Sequence, residues 1–259
     1  MEHPEITKLY KYIACLERVL WILRTRLIYY PTPSRLNDPF DCDIDIASNV
    51  SWNQFTQVVR IEGENLNKSR EEIELKLQSV RKDDPGVIEK YRIKVRDGVA
   101  QVREVLRGQG VLSLTANPNS IPMWAYYADG HRGMCIEFQR SPENLLGTTA
   151  TRPVHYTDAY PDVSFFDMFK EPGVPSRTVM QTKSSEWKHE QEWRVFVPKG
   201  NVLHDLPGEI TGVLFGLRTP EEHKREVAEM VSGQDRITLR QAIKRKGRFH
   251  IEFVEYPPE

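Results

Sequence analysis

Near the N-terminus the apolar positions follow two rhythms. Leu9-Tyr10-Lys11-Tyr12-Ile13 predicts a short strand, and residues 27–30 predict a second. Between them Leu16, Val19, Leu20 and Leu23 recur at helical spacing, so 15–24 reads as a helix. Pro31, Pro33 and then Asn37-Asp38-Pro39 interrupt regular structure and predict an ordered loop reaching Cys42. Over 51–107 charges are dense and apolar residues return at helical spacing, as in Trp52, Phe55, Val58 and Val59. Asp84-Pro85-Gly86 breaks this stretch and Gly108 ends it, which predicts three helices. They read as a helical insertion, from about residue 49 to 109, packed on one side of a sheet.

From Gly110 onward the period shortens. Val111-Leu112-Ser113-Leu114-Thr115 predicts a strand with Ser113 and Thr115 on one face and the leucines on the other. Ser120 is placed to cap a short helix over 121–128, with Pro122 in its first turn. Strands are predicted at 133–138, 154–156, 210–217 and 249–253, and helices at 163–170 and 177–183. Thr219-Pro220-Glu221-Glu222 reads as a capping box opening another helix. Together these elements predict a single α+β domain over residues 1–259, with the helical insertion on one side.

The richest stretch is Trp187-Lys188-His189-Glu190-Gln191-Glu192-Trp193-Arg194-Val195-Phe196-Val197. In a strand, Glu190, Glu192 and Arg194 share one face, opposite Trp187, His189, Gln191, Trp193, Val195 and Val197. Two carboxylates side by side repel unless Arg194, solvent or a ligand satisfies them. A solvated, internally paired sheet edge is the simple explanation, and a ligand site is the other.

Composition narrows the classes. Hydrophobic residues at 39% permit a core in a chain of 259 residues, room for one large domain or two small ones. A net charge of -1 gives no whole-protein field toward nucleic acid or membrane, so such binding would come from a local patch. No apolar run reaches bilayer-spanning length and the first residues lack a signal-peptide pattern, so a cytoplasmic protein is expected. Cys15, Cys42 and Cys135 lack zinc spacing and read as reduced thiols. Metal hydrolysis is disfavoured: His189 and Glu190 fall on opposite strand faces, and Asp38, Asp41 and Glu192 complete no ligand motif. Arg236, Arg240 and Lys244 recur every four residues, with Arg245, Lys246 and Arg248 nearby. On a helix the first three form a basic stripe, either a solvated face or a nucleic-acid contact.

Five motifs in order, Leu9-Tyr10-Lys11-Tyr12, Leu36-Asn37-Asp38-Pro39-Phe40-Asp41, Met123-Trp124-x-x-Tyr127-Ala128, His131-x-Gly133 and Lys183…Trp187-x-x-Glu190-x-Glu192-x-Arg194, resemble the bacterial domain-of-unknown-function family 2971. The order of Ser113-Leu114-Thr115 and Glu190-Gln191-Glu192 is also similar to toxin-type mono-ADP-ribosyltransferases, which carry an Arg or His on an early strand, Ser-x-Ser on a middle one and Glu-x-Glu on a late one. The early strand departs from that pattern with Tyr10, Lys11 and Tyr12, and Arg35 or Arg132 would have to replace the missing Arg.

That second resemblance implies a split, twisted, antiparallel or mixed sheet and NAD as substrate. The transition state of nicotinamide loss is oxocarbenium-like. Glu192 would stabilise it, Glu190 would act on the acceptor, and Ser113 would bond Glu192 and the ribose with Thr115 behind it. Lys11 would pair with the pyrophosphate, beside Tyr10, Tyr12 and Arg35, and Tyr126 or Tyr127 would stack on nicotinamide. The implied activity is ADP-ribose transfer to a protein or nucleic-acid acceptor, as in a bacterial defence or toxin effector, or hydrolysis of NAD. The alternative is a non-catalytic binding module of the same fold. Read without the resemblance, Met123, Trp124 and Tyr127 are core packing, His131 a loop residue and Asn37-Asp38-Pro39 a self-satisfied turn.

Overall fold

In a computed structural model the described residues are 1–43, 46–47, 51–80, 85–161, 163–164 and 174–257. The chain runs β1 (Lys8–Ile13), α1 (Leu16–Thr25), β2 (Leu27–Tyr30), β3 (Ile46–Ala47), α2 (Trp52–Asn65), α3 (Arg70–Ser79), α4 (Pro85–Gly108), β4 (Gly110–Thr115), α5 (Ile121–Tyr127) and β5 (Met134–Gln139). It continues β6 (Thr151–Pro153), β7 (His155–Thr157), β8 (Val163–Ser164), α6 (Val174–Gln181), β9 (Thr182–Ser184), β10 (Glu192–Val197), β11 (Val202–Asp205), β12 (Ile210–Phe215), α7 (Glu221–Met230), β13 (Thr238–Lys244) and β14 (Ile251–Glu255).

An eight-stranded mixed sheet in the order β14-β13-β12-β5-β1-β4-β10-β6 organises this α+β fold, and its one parallel pair is β12 with β13. Strand alternation sorts the sheet's two faces. Leu9, Leu112, Leu114, Ile136, Phe138, Trp193, Val195 and Val213 pack against α1 and α7 through Val19, Ile22, Leu23 and Val227. On the opposite face Tyr10, Tyr12, Cys135 and Leu214 pack against Met123 and Trp124 of α5. Further along that face Val111 and Phe196 meet Val95, Val99 and Leu106 of α4 and Val179 and Met180 of α6. Each fully buried side chain of this size contributes about 1.5–3 kcal/mol by leaving water. The second face thus carries two apolar clusters, with a gap between them over β1, β4 and β10.

Local capping follows the side chains. Ser51 with Gln54 and Ser69 with Glu72 close capping boxes on α2 and α3, and Ser120 Oγ accepts from Met123 N on α5. The box expected at Thr219 does not form. Its hydroxyl donates to the Gly133 carbonyl at 2.8 Å, and Pro220 holds the cap position of α7. The helix expected over 177–183 stops at Gln181, and Lys183 lies on β9 instead. Of the helix expected over 163–170, Val163–Ser164 are strand and 165–170 lie outside the described residues.

The basic stripe expected from Arg236, Arg240 and Lys244 is not helical. Arg236 precedes β13, while Arg240 and Lys244 lie on it. A spacing of four is even, so a strand also places such residues on one face. Arg240 is neutralised by the buried Glu137, and Arg236 stands 3.7 Å from Glu209. Among the described residues no helix is long and apolar enough to cross a membrane.

Candidate active-site cleft

β5 and β1 pair along their whole length, as do β4 and β10, but β1 and β4 share a single rung, Tyr10 opposite Thr115. Beyond that rung the two strands part, and a cavity of about 230 Å³ opens between them. Tyr10, Lys11 and Tyr12 of β1 line it together with Ser113 and Thr115 of β4. Glu190, Glu192 and Lys183 form its floor, Arg35, Asn37 and Asp41 reach it from the loop after β2, and Tyr127 reaches it from α5. Tyr126, by contrast, is 70% exposed on α5, and Arg132 stands 4.0 Å from Asp129, outside the cavity lining.

The Glu-Gln-Glu segment is not one continuous strand. Residues Ser185–Glu190 form a 3₁₀ turn, Gln191 takes the left-handed conformation (φ 45°, ψ 49°), and the strand begins at Glu192. Trp187, His189 and Gln191 therefore do not join the face of Trp193. β4 fixes the turn, since Thr115 Oγ1 donates to the Glu190 carbonyl at 2.6 Å and Ala116 N to that of Gln191 at 3.2 Å. Tyr156, whose phenol burial pushes up to about 12, accepts from Glu192 N at 2.8 Å. Glu190 and Glu192 converge because the turn redirects Glu190.

They converge on cations. Lys183 Nζ donates to Glu190 Oε2 at 2.5 Å and Glu192 Oε2 at 3.1 Å, with Asp41 Oδ2 at 3.5 Å. Arg194 Nε donates to Glu192 Oε1 at 2.9 Å, and Nη2 grips both oxygens of Asp41 at 2.7 and 2.6 Å. Arg194 Nη1 completes the set with the Met180 carbonyl at 2.7 Å and Cys42 Sγ at 3.0 Å. Three carboxylates thus share two cations, and none of the five side chains is more than 6% exposed.

Electrostatics sets the protonation states. Burial raises the Glu192 pKa, but Arg194, Lys183 and Ser113 reverse that and bring it down to about 2. Burial likewise opposes the charges of Lys183 and Arg194, and the carboxylates beside them hold both firmly protonated. Lys11 differs. Burial, with the charge of Arg18, pushes its amine down to about 8, and its hydrogen-bond partner is a neutral carbonyl, that of Ser113, at 2.9 Å. At the rim Tyr127 Oη donates to Glu190 Oε1 at 2.6 Å and accepts from Asn37 Nδ2 at 3.0 Å. Burial and Glu190 raise the Tyr127 phenol pKa, so it stays a donor.

The depressed Glu192 pKa makes an acid-stability prediction. Its contribution, on the order of 3 kcal/mol from a fall of 4.5 to about 2, is present above the unfolded-state value. It is lost as pH drops from 4.5 toward 2. Urea unfolding midpoints across that range are expected to fall more steeply for wild type than for Glu192→Gln. Parallel curves would contradict the charge state assigned to Glu192.

The cleft gathers Lys11, Tyr10, Tyr12, Arg35, Ser113, Thr115, Tyr127, Glu190 and Glu192. The sequence pattern offers Asp41 only as part of an incomplete metal-ligand set and offers Lys183 no role, although both stand in the motifs at 36–41 and 183–194. Among the described residues no set of three or more His, Cys, Asp or Glu side chains is grouped to hold a metal ion. A second cavity, about 460 Å³, lies across Asp41 and Lys183, with Phe40, Asp158, Tyr160 and Trp187 in its wall.

The family described as Protein of unknown function (DUF2971) matches residues 123–195. That segment carries α5 from Met123 onward, Lys183, Glu190, Glu192 and Arg194, and leaves out Lys11, Asp41 and Ser113. No curated protein and no solved structure matches the chain.

Proposed function

We propose that the cleft is a catalytic site that cleaves the nicotinamide–ribose bond of NAD and passes ADP-ribose to a macromolecular acceptor or to water. The observation that carries this reading is the convergence of three adjacent strands, β1, β4 and β10, which bring Lys11, Ser113 and Glu192 to one cavity beside Glu190. The C–N bond breaks with its electron pair leaving on neutral nicotinamide, and positive charge develops on the ribose. Glu192, ionised at any physiological pH, opposes that charge without a proton of its own. Three hydrogen bonds from Arg194 and Lys183 already occupy Glu192, whereas Glu190 accepts one bond on each oxygen. Glu190 keeps acceptor capacity and takes the proton of the attacking nucleophile as its bond to the ribose forms.

The cavity's 230 Å³ is below the roughly 300–1,000 Å³ that encloses a drug-sized ligand, so it takes the nicotinamide riboside end. Tyr127 offers a ring at the rim, and the pyrophosphate lies toward Lys11 and Arg35. The missing early-strand Arg makes Lys11 the clamp, a point charge rather than a planar fork.

A second reading, a non-catalytic protein- or nucleic-acid-binding module, is favoured by how completely Glu192 and Arg194 satisfy each other. Nicotinamide release from labelled NAD separates the two, with and without cell extract. Wild type is expected to release nicotinamide, and Glu190→Gln to reduce the rate about 10²–10⁴-fold. Tyr127→Phe, which leaves the Lys183 pair in place, is expected to lower it less. No release by wild type, or equal release by Glu190→Gln, would leave the binding module as the reading.

A further inference from the structure

The end of β13 and its connection to β14 form a strongly basic projection outside the cleft. It reads Lys244-Arg245-Lys246-Gly247-Arg248-Phe249-His250, and all seven residues are exposed. The turn is ordered by its own backbone: Arg245 N donates to the His250 carbonyl at 3.0 Å and Arg248 N to that of Arg245 at 3.3 Å. Gly247, at φ 75°, supplies the left-handed residue the turn requires. Arg245 is tied to Glu252 at 3.1 Å. Among the described residues no ion pair holds Lys244, Lys246 or Arg248. Phe249 is 101% exposed, an aromatic ring standing in water among cations. Burial by neighbours accounts for most large apolar side chains of this chain, and for Phe249 it accounts for nothing.

We infer that this hairpin tip docks single-stranded nucleic acid, with phosphates on Lys244, Lys246 and Arg248 and an unstacked base on Phe249. Charge alone would suit any polyanion, and the ring decides between them. A membrane-inserting turn gains its affinity from several apolar side chains entering together, and here one ring is surrounded by Gly, His and cations. A base has a π-face that one aromatic ring covers, with the backbone a short reach away. In a duplex that face is already stacked, so the surface favours single strands. Because the protein's net charge is -1, attraction is confined to this patch and vanishes with added salt. The inference stands apart from the reading of the cleft, which uses none of these residues.

The test is fluorescence anisotropy of a labelled single-stranded oligonucleotide with the full chain, across a salt series. Wild type is expected to bind with a log–log salt slope of about -2, as three phosphate contacts dictate. Phe249→Ala is expected to weaken binding about tenfold with the slope unchanged. The double change Lys246→Glu with Arg248→Glu is expected to abolish binding. These side chains are exposed, and matching urea midpoints will show the variants folded. Equal affinity of Phe249→Ala and wild type, tighter binding to duplex, or absence of binding at low salt would each overturn the inference. So would binding to phosphatidylserine vesicles without binding to the oligonucleotide, which would assign the tip to a membrane surface.

Discussion

Arg194→Met is expected to lower the unfolding free energy by about 3–5 kcal/mol, the cost of breaking a buried ion pair by removing one partner. Methionine has similar length and fills much of the space, so packing loss is small beside the electrostatic loss. Asp41 would lose its bidentate partner and Glu192 its nearest cation, while the Met180 carbonyl would lose its hydrogen bond. Among the described residues Lys183 would then be the one cation within 4.0 Å of the three carboxylates. Arg194→Lys preserves the charge and loses the planar fork that meets Asp41 and Glu192 at once, so it is expected to fall between. Urea unfolding reads both, with the slope unchanged if the unfolded state is unaffected. A midpoint for Arg194→Met close to wild type would mean that water already screens the cluster.

How much of this arrangement the chain discloses depends on distance along the sequence. The polar face of β4 is legible because alternation is local: Ser113 and Thr115 sit opposite Leu112 and Leu114, and the strand forms as the pattern requires. α5 is legible for a similar reason, since Ser120 and Pro122 mark its start. The Glu-Gln-Glu turn is not. Alternation predicts a shared face for Glu190 and Glu192. They do meet, but through the left-handed Gln191, a conformation imposed by Thr115 and Ala116 gripping the turn from another strand. The partners of the pair are less legible still. Lys183 precedes Glu190 closely, but the local pattern places it at a helix end, whereas β9 points its amine inward. Asp41 lies in a loop whose Asn-Asp-Pro signature is explained by its own turn, where Asp38 Oδ1 accepts from Phe40 N. Nothing local shows that the next aspartate crosses the molecule to Arg194. The basic run before the C-terminus misled for a different reason: a repeat of four residues fits both helical and strand periods, and here tertiary pairing of β13 with β12 decided.

Lys183→Met is expected to reverse the acid limb of the stability profile as well as to destabilise by about 3–5 kcal/mol at neutral pH. Without the ammonium, Glu190 and Glu192 face each other with Arg194 paired to Glu192 alone and Lys11 acting on both from a greater distance, and their mutual repulsion raises a folded-state pKa above the unfolded value. A carboxyl whose pKa is raised on folding binds more protons in the folded state. Stability then rises as pH falls through that raised pKa, because a proton takes the place of the lost cation. Wild type behaves oppositely, since the Glu192 pKa is held down to about 2 and protonation removes stability. The variant and wild-type curves should therefore converge on acidification, and the variant's optimum should move to lower pH. Lys183→Arg keeps the charge and should retain the wild-type sign. Urea midpoints measured from neutral pH into the carboxyl titration range decide the matter. If Lys183→Met loses stability in parallel with wild type as the solution is acidified, Glu190 and Glu192 are not coupled through Lys183, and the single cluster of three carboxylates and two cations does not exist in solution.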